Sequence, residues 1–247
     1  MFLIPDSYIT VKKTRDHGRG VFAAKDIEAG TVIGDYLGTI VHEDDEDEIK
    51  HGLYYLYFNE KATIYASPRE KGIHLINHSC APNCWMRTWK GRTLYFATRH
   101  IFKGEQVTVS YLLGTAEDEE IPCQHTCKCG TLVCTGTFHN SQEASDRWED
   151  FDSKGQEKYF KKVPGKYGSK LPPLPAYPKT IADNPISNIF GSFDKPPLAC
   201  PEVKLPPAKL LRQRIRETGR RLYFPNVGYE AWGFMNGVLT GKTRAAK

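Results

Sequence analysis

The chain has 247 residues, 34 Lys+Arg against 29 Asp+Glu, 40% hydrophobic and 12% aromatic side chains, enough to bury a core and so not a chain disordered throughout. Charge divides it: residues 1–140 hold 15 basic and 18 acidic side chains, a net −3, whereas residues 141–247 hold 19 and 11, a net +8, with 12 of the 16 prolines. No apolar run approaches the roughly 18 residues of a membrane span, and Met1-Phe2-Leu3-Ile4 stops at Pro5, so no signal peptide, no membrane partner and a nuclear or cytoplasmic setting are expected.

From Tyr8 to Tyr111 the pattern is one of short strands between turns. Tyr8-Ile9-Thr10-Val11 is β-branched and aromatic, and Val21-Phe22-Ala23-Ala24 follows a Gly-rich turn. Thr31–Ile33, Tyr36–Val41, Tyr54–Phe58, Thr93–Thr98 and Gln106–Tyr111 are further predicted strands. No long stretch keeps a 3.6-residue apolar period, so a mostly β domain is expected. Two acidic runs, Glu43 to Glu48 and Glu117 to Glu120, read as solvated loops or as attractors of a cationic partner. Beyond Asn140, Lys170-Leu-Pro-Pro-Leu-Pro-Ala-Tyr-Pro178 is polyproline-like, and Pro207 to Gly219 reads as a short helix with Leu210, Leu211 and Ile215 on one face. Its arginines, Arg212, Arg214 and Arg216, suit either a solvated face or weak nucleic-acid contact. Tyr223, Phe224, Tyr229, Trp232 and Phe234 suggest that the tail docks on something.

Seven cysteines is an odd count, and five of them, Cys80, Cys84, Cys127, Cys129 and Cys134, fall into two tight groups. That arrangement favours metal ligation over a disulfide framework. Cys127, Cys129 and Cys134 offer three thiolates within eight residues, the ligand type a tetrahedral structural zinc takes. Cys123 and His125 are rival ligands just upstream, and Cys84 reads as a small buried apolar side chain.

Three segments in order, Asn77-His78-Ser79-Cys80-Ala81-Pro82-Asn83-Cys84, Gly104-Glu105-Gln106-Val107-Thr108-Val109-Ser110-Tyr111 and Cys127-Lys-Cys129-Gly-Thr-Leu-Val-Cys134, resemble the SET-domain protein lysine methyltransferases that carry a zinc-binding post-SET segment. Upstream, Gly18-Arg19-Gly20-Val21-Phe22-Ala23 matches the element that opens such domains. The resemblance covers roughly residues 8–140. It implies a SET domain over 1–120, a post-SET zinc segment over 121–140 and an unmatched, mixed helical and irregular extension over 141–247. It implies short β-sheets around a knot-like core. S-adenosylmethionine would be held by the backbone of Arg19 and Gly20 and by Asn77 and His78, with Phe138 stacking on the adenine or simply packing.

The same resemblance makes Tyr111 the catalytic tyrosine and Cys80 the fourth zinc ligand. Tyr54 and Tyr55 are candidate walls of a lysine channel, with cross-strand packing as the other reading. Val109 stands where the family often has Phe or Tyr, so a pocket that admits a methylated lysine is expected. Departures are Tyr65 in place of an acidic residue, His74 in place of arginine and Ala62 in place of tyrosine. The implied activity is S-adenosylmethionine-dependent methylation of a lysine in a histone-like or other basic protein. A non-catalytic SET-like module that only holds a peptide is the alternative, and tethering to nucleic acid through the extension is a third reading.

Overall fold

The structure, a computed structural model, describes residues 1–14, 18–28, 30–42, 54–80, 82–97, 100–111, 113, 125–129, 134, 136–139, 162–163 and 165–181. The chain divides into two compact units. The first comprises Met1–Asn77, Cys84–Thr108 and Asp150–Ile181; the second comprises His78–Asn83, Val109–Glu149 and Ala182–Lys247. The predicted helix over 207–219, the aromatic tail and both acidic runs lie outside the described residues.

The expected mostly β architecture is present, in ten short strands among the described residues. β1 (Ile9–Lys13) pairs antiparallel with β2 (Arg19–Ala23), Lys12 opposite Gly20. β3 (Val32–Asp35) pairs with β9 (Arg92–Ala97), which pairs with β8 (Cys84–Trp89). β4 (Thr39–His42), β6 (Ala62–Tyr65) and β5 (Tyr55–Asn59) form a second three-stranded sheet. β7 (Asn77–His78) and β10 (Thr108–Val109) make a two-residue ladder, and the division between the units falls inside both strands.

Seven of these strands overlap the predicted ones, and β6, β7 and β8 do not. Alternation is visible in β5, where Tyr57 is exposed and Phe58 buried. In β8 the first four residues, Cys84 to Arg87, are all buried, so no period of two marks it. Its hairpin to β9 turns on Lys90-Gly91, with φ 46° and 72°, the positive-φ pair that matches the twist of a two-residue connection. The β5–β6 turn is held by the Asn59 side chain, whose Oδ1 accepts from the Lys61 N–H at 2.9 Å. The core of the first unit is mostly aliphatic, with Ile27, Ile33, Ile40, Ile64, Ile73 and Leu94 fully buried around the aromatic Phe96.

Composition groups residues 165–181 with the extension, yet this segment packs as a strap on the first unit. At one end it adds to the edge of β4: Gly168 N–H donates to Ile40 O (2.8 Å), Ile40 N–H to Ser169 O (2.9 Å) and Leu171 N–H to Gly38 O (2.8 Å). At the other end it adds to the edge of β3, with Val32 N–H donating to Lys179 O at 2.9 Å and Ile181 N–H to Gly30 O at 3.0 Å. The prolines lie between these two pairings, where no ladder donor is needed. Gly168, at φ 78°, makes the turn into the strap. One chain segment thereby covers the edge of β4 and the start of the β3 edge, the rest of which pairs with Met1 to Leu3.

The strap is fastened by a buried polar cluster. Tyr177 OH donates to Asp35 Oδ2 at 2.7 Å and accepts from the Leu174 N–H at 2.7 Å, while Arg92 Nη2 donates to Pro172 O at 2.8 Å. Burial pushes the Asp35 carboxyl up, opposed by the Tyr177 hydroxyl and the Arg92 guanidinium 3.9 Å away. Burial, then the nearby carboxylate, pushes the Tyr177 phenol up to about 12. Leu171 and Ile181 anchor the strap's ends in the core. Tyr177→Phe removes the donor to a buried carboxylate and is expected to lower stability by about 2 kcal/mol in urea unfolding. A change below roughly 0.5 kcal/mol, the scale of an ordinary surface substitution, would show that the strap is not coupled to folding.

Candidate active site and metal centre

In the first unit the polar groups gather at Gly20. Asn77 Nδ2 donates to Arg19 O at 3.1 Å, and a Cβ at Gly20 would lie 2.7 Å from Gln106 Nε2, 2.8 Å from Thr14 Cγ2 and 2.9 Å from Asn77 Nδ2. A side chain at position 20 would fit only if the ends of Gln106, Thr14 and Asn77 shifted. Gln106 is brought in by the pairing of its segment with β2, where Val107 N–H donates to Val21 O at 2.8 Å. It escaped the sequence reading, although it sits inside the Gly104-Glu105-Gln106 motif. Amides and backbone carbonyl around a missing side chain suit a ligand with a polar, charged end, and S-adenosylmethionine has one.

Also in the first unit, consecutive tyrosines part company. Tyr54 sets its ring edge-on to His74, centroids 6.0 Å apart, and its carbonyl accepts from Tyr36 OH at 2.9 Å. Tyr55, the first residue of β5, has its ring 5.7 Å from that of Tyr65, directly opposite in register. Burial lowers His74 to about 4, so a neutral imidazole stands where the family has arginine. Its Nε2 lies 3.2 Å from Glu70 O.

In the second unit the rings of His78, Tyr111 and Phe138 are in mutual contact. His78 lies 5.3 Å from Tyr111 and 4.7 Å from Phe138, and Tyr111 is edge-on to Phe138 at 5.4 Å. The Tyr111 N–H donates to His78 Nδ1 at 3.2 Å. Ser79 N–H donates to Val109 O at 2.9 Å, and Val109 is buried.

Beside these rings the thiols of Cys80, Cys127, Cys129 and Cys134 come together, all four Sγ atoms within 4.8 Å of one another. Cys127 is held in place by its N–H donating to Gly136 O at 2.9 Å, and its Sγ is 3.6 Å from that of Cys80. With no cation between them they are held as thiols: hydrogen bonds with the Cys129 and Cys80 sulfurs, then burial, push the Cys127 thiol far up. A divalent cation reverses that, since thiolates bound to it need no protons. Four sulfurs at this spacing fit zinc. His125 is turned elsewhere, its Nδ1 3.4 Å from His139 Nε2 and its ring stacked on Phe138. Cys123 lies outside the described residues. Cys84 is fully buried in β8, opposite Ala97.

Residues 18–112 match the family described as SET domain. The chain carries a SET domain. Three of the four thiols follow this SET domain in sequence, at the place of a post-SET zinc segment, and Cys80 comes from inside it. The chain is 32% identical over 138 residues to histone-lysine N-methyltransferase trithorax of Drosophila virilis, covering 51% of this chain and 4% of that protein. It is 31% identical over 138 residues to histone-lysine N-methyltransferase 2D of Homo sapiens, covering 51% and 2%. Against histone H3-lysine(4) N-trimethyltransferase ATX1 of Arabidopsis thaliana the identity is 30% over 143 residues, covering 53% and 13%. The match therefore spans a small fraction of each relative's length.

Metal content is the direct check on the thiol set. The purified chain is expected to bind one zinc, Cys129→Ser to lose most of it, and His125→Ala and Cys84→Ala to keep it. Full stoichiometry after Cys129→Ser in elemental analysis would show that other ligands hold the metal.

Proposed function

We propose that this chain is an S-adenosylmethionine-dependent protein-lysine N-methyltransferase acting on a basic protein segment such as a histone tail. The observation that carries this reading is the clustering of Tyr111 with His78 and Phe138 beside the four-thiol set. The names of the relatives, all histone-lysine methyltransferases, support the same class of substrate. The net negative charge of residues 1–140 suits a lysine-rich partner and would speed its encounter.

Arg19, Gly20, Asn77, His78 and Phe138 are assigned to the methyl donor, and Cys80, Cys127, Cys129 and Cys134 to a structural zinc. When bound, S-adenosylmethionine supplies a methyl group on a positively charged sulfur. The chain must deliver a neutral amine to it, although a free lysine titrates near ~10.4. Aromatic walls disfavour the ammonium by desolvation, so the proton is lost to solvent as the side chain enters. Tyr55, whose ring lies beside that of Tyr65, is assigned to such a wall in preference to Tyr54, whose ring packs on His74. The Tyr111 hydroxyl then orients the amine lone pair, and its backbone is fixed by the bond to His78. Val109 contributes no hydroxyl that would hold a water or stop a methylated amine from turning, so di- or trimethyllysine is the expected product.

The non-catalytic reading is disfavoured because a module that only holds a peptide has no need of Asn77, His78 and Tyr111 together. Incubation with labelled donor and a panel of histones and other basic proteins separates the two. Transfer is expected to at least one of them, to fall 100-fold or more in Tyr111→Phe, an effect on the scale of losing one positioned transition-state hydrogen bond, and to yield products beyond monomethyllysine in mass spectra. No transfer above the Tyr111→Phe background on any protein would favour the binding module, and monomethyl product alone at long times would contradict the role given to Val109.

A further inference from the structure

The His78 side chain is spoken for at both ring nitrogens by protein atoms. A backbone N–H can only donate, so the 3.2 Å bond from the Tyr111 N–H makes His78 Nδ1 an acceptor. The imidazole is then neutral with its proton on Nε2, and Nε2 lies 3.5 Å from Cys80 Sγ. An N–H pointed at that sulfur is the donor a zinc-bound thiolate needs, because four thiolates around one zinc ion leave two negative charges to be taken up by the surroundings. The ring is also clamped by its contacts with Tyr111 and Phe138 and is nearly buried.

We propose that His78 is a positioning residue, holding the Tyr111 backbone with Nδ1 and the Cys80 thiolate with Nε2, so that one rigid imidazole couples the metal centre to the catalytic tyrosine. Any contact of His78 with the methyl donor then comes from its backbone. The tyrosine half of this proposal rests on the methyltransferase reading; the sulfur half stands without it.

The two halves are separable by substitution. Asn at position 78 offers an amide oxygen near the place of Nδ1 and reaches no sulfur. Gln offers an amide N–H near the place of Nε2 and gives up the acceptor for Tyr111. With cobalt(II) loaded in place of zinc, loss of an N–H···S bond raises the energy of the sulfur lone pairs and moves the sulfur-to-metal charge-transfer band to longer wavelength. His78→Asn is expected to show that shift and to bind the metal about tenfold or more weakly in competition with a chelator. His78→Gln is expected to keep the band and the metal affinity of the unaltered chain while its kcat falls with KM for the acceptor unchanged. Unshifted bands and unchanged metal affinity in both variants would overturn the proposal, as would equal loss of metal and turnover in both. Absence of methyl transfer by the unaltered chain on every acceptor would sink the functional reading alone, and the cobalt spectra would still decide whether His78 holds Cys80.

Discussion

Four sulfur atoms within 4.8 Å of one another, one from the segment after β7 and three from far downstream, form the constraint on which the second unit depends. As neutral thiols they can hydrogen-bond to one another, but thiolates cannot sit so close without a cation between them. Once a cation is bound, the downstream segment is fixed to Cys80, and with it Phe138, whose ring lies against both His78 and Tyr111. A zinc held by these four sulfurs would act through placement, since a tetrahedral site filled by thiolates leaves no position for a reactant.

The first unit meets a different constraint. Its sheets have only two or three strands each, so edge strands are a large share of the whole. β4 and the start of β3 pair with the strap over residues 165–181, and Met1 to Leu3 pair with the rest of the β3 edge. The fastening is a hydroxyl on a buried carboxylate, Tyr177 on Asp35, with Arg92 close by. The first unit therefore takes in chain well past residue 112, where the family match ends.

What the sequence made legible was chemistry carried by local spacing. The cysteine pattern pointed to a metal because thiolate ligands recur at short intervals, and the four sulfurs do converge. What stayed hidden depends on distant partners. β8 is buried from its first residue and shows no alternation, and β7 is a strand only because β10 lies beside it. The prolines of 172–178 look like a linker, and nothing local says that the residues flanking them will pair with β3 and β4. Likewise the use made of the His78 ring follows from two atoms, Tyr111 N and Cys80 Sγ, that no short motif relates to it.

The central claim is that the metal-thiolate cluster holds the donor-binding and catalytic groups of the second unit in place. It is tested most directly by titrating S-adenosylmethionine calorimetrically into the zinc-loaded chain and into the same chain stripped by a chelator, with far-UV circular dichroism recorded on both. The expected result is tight binding to the loaded chain and an affinity lower by at least about tenfold after stripping, with the β-sheet spectrum retained. Equal affinity in the two forms would contradict the account.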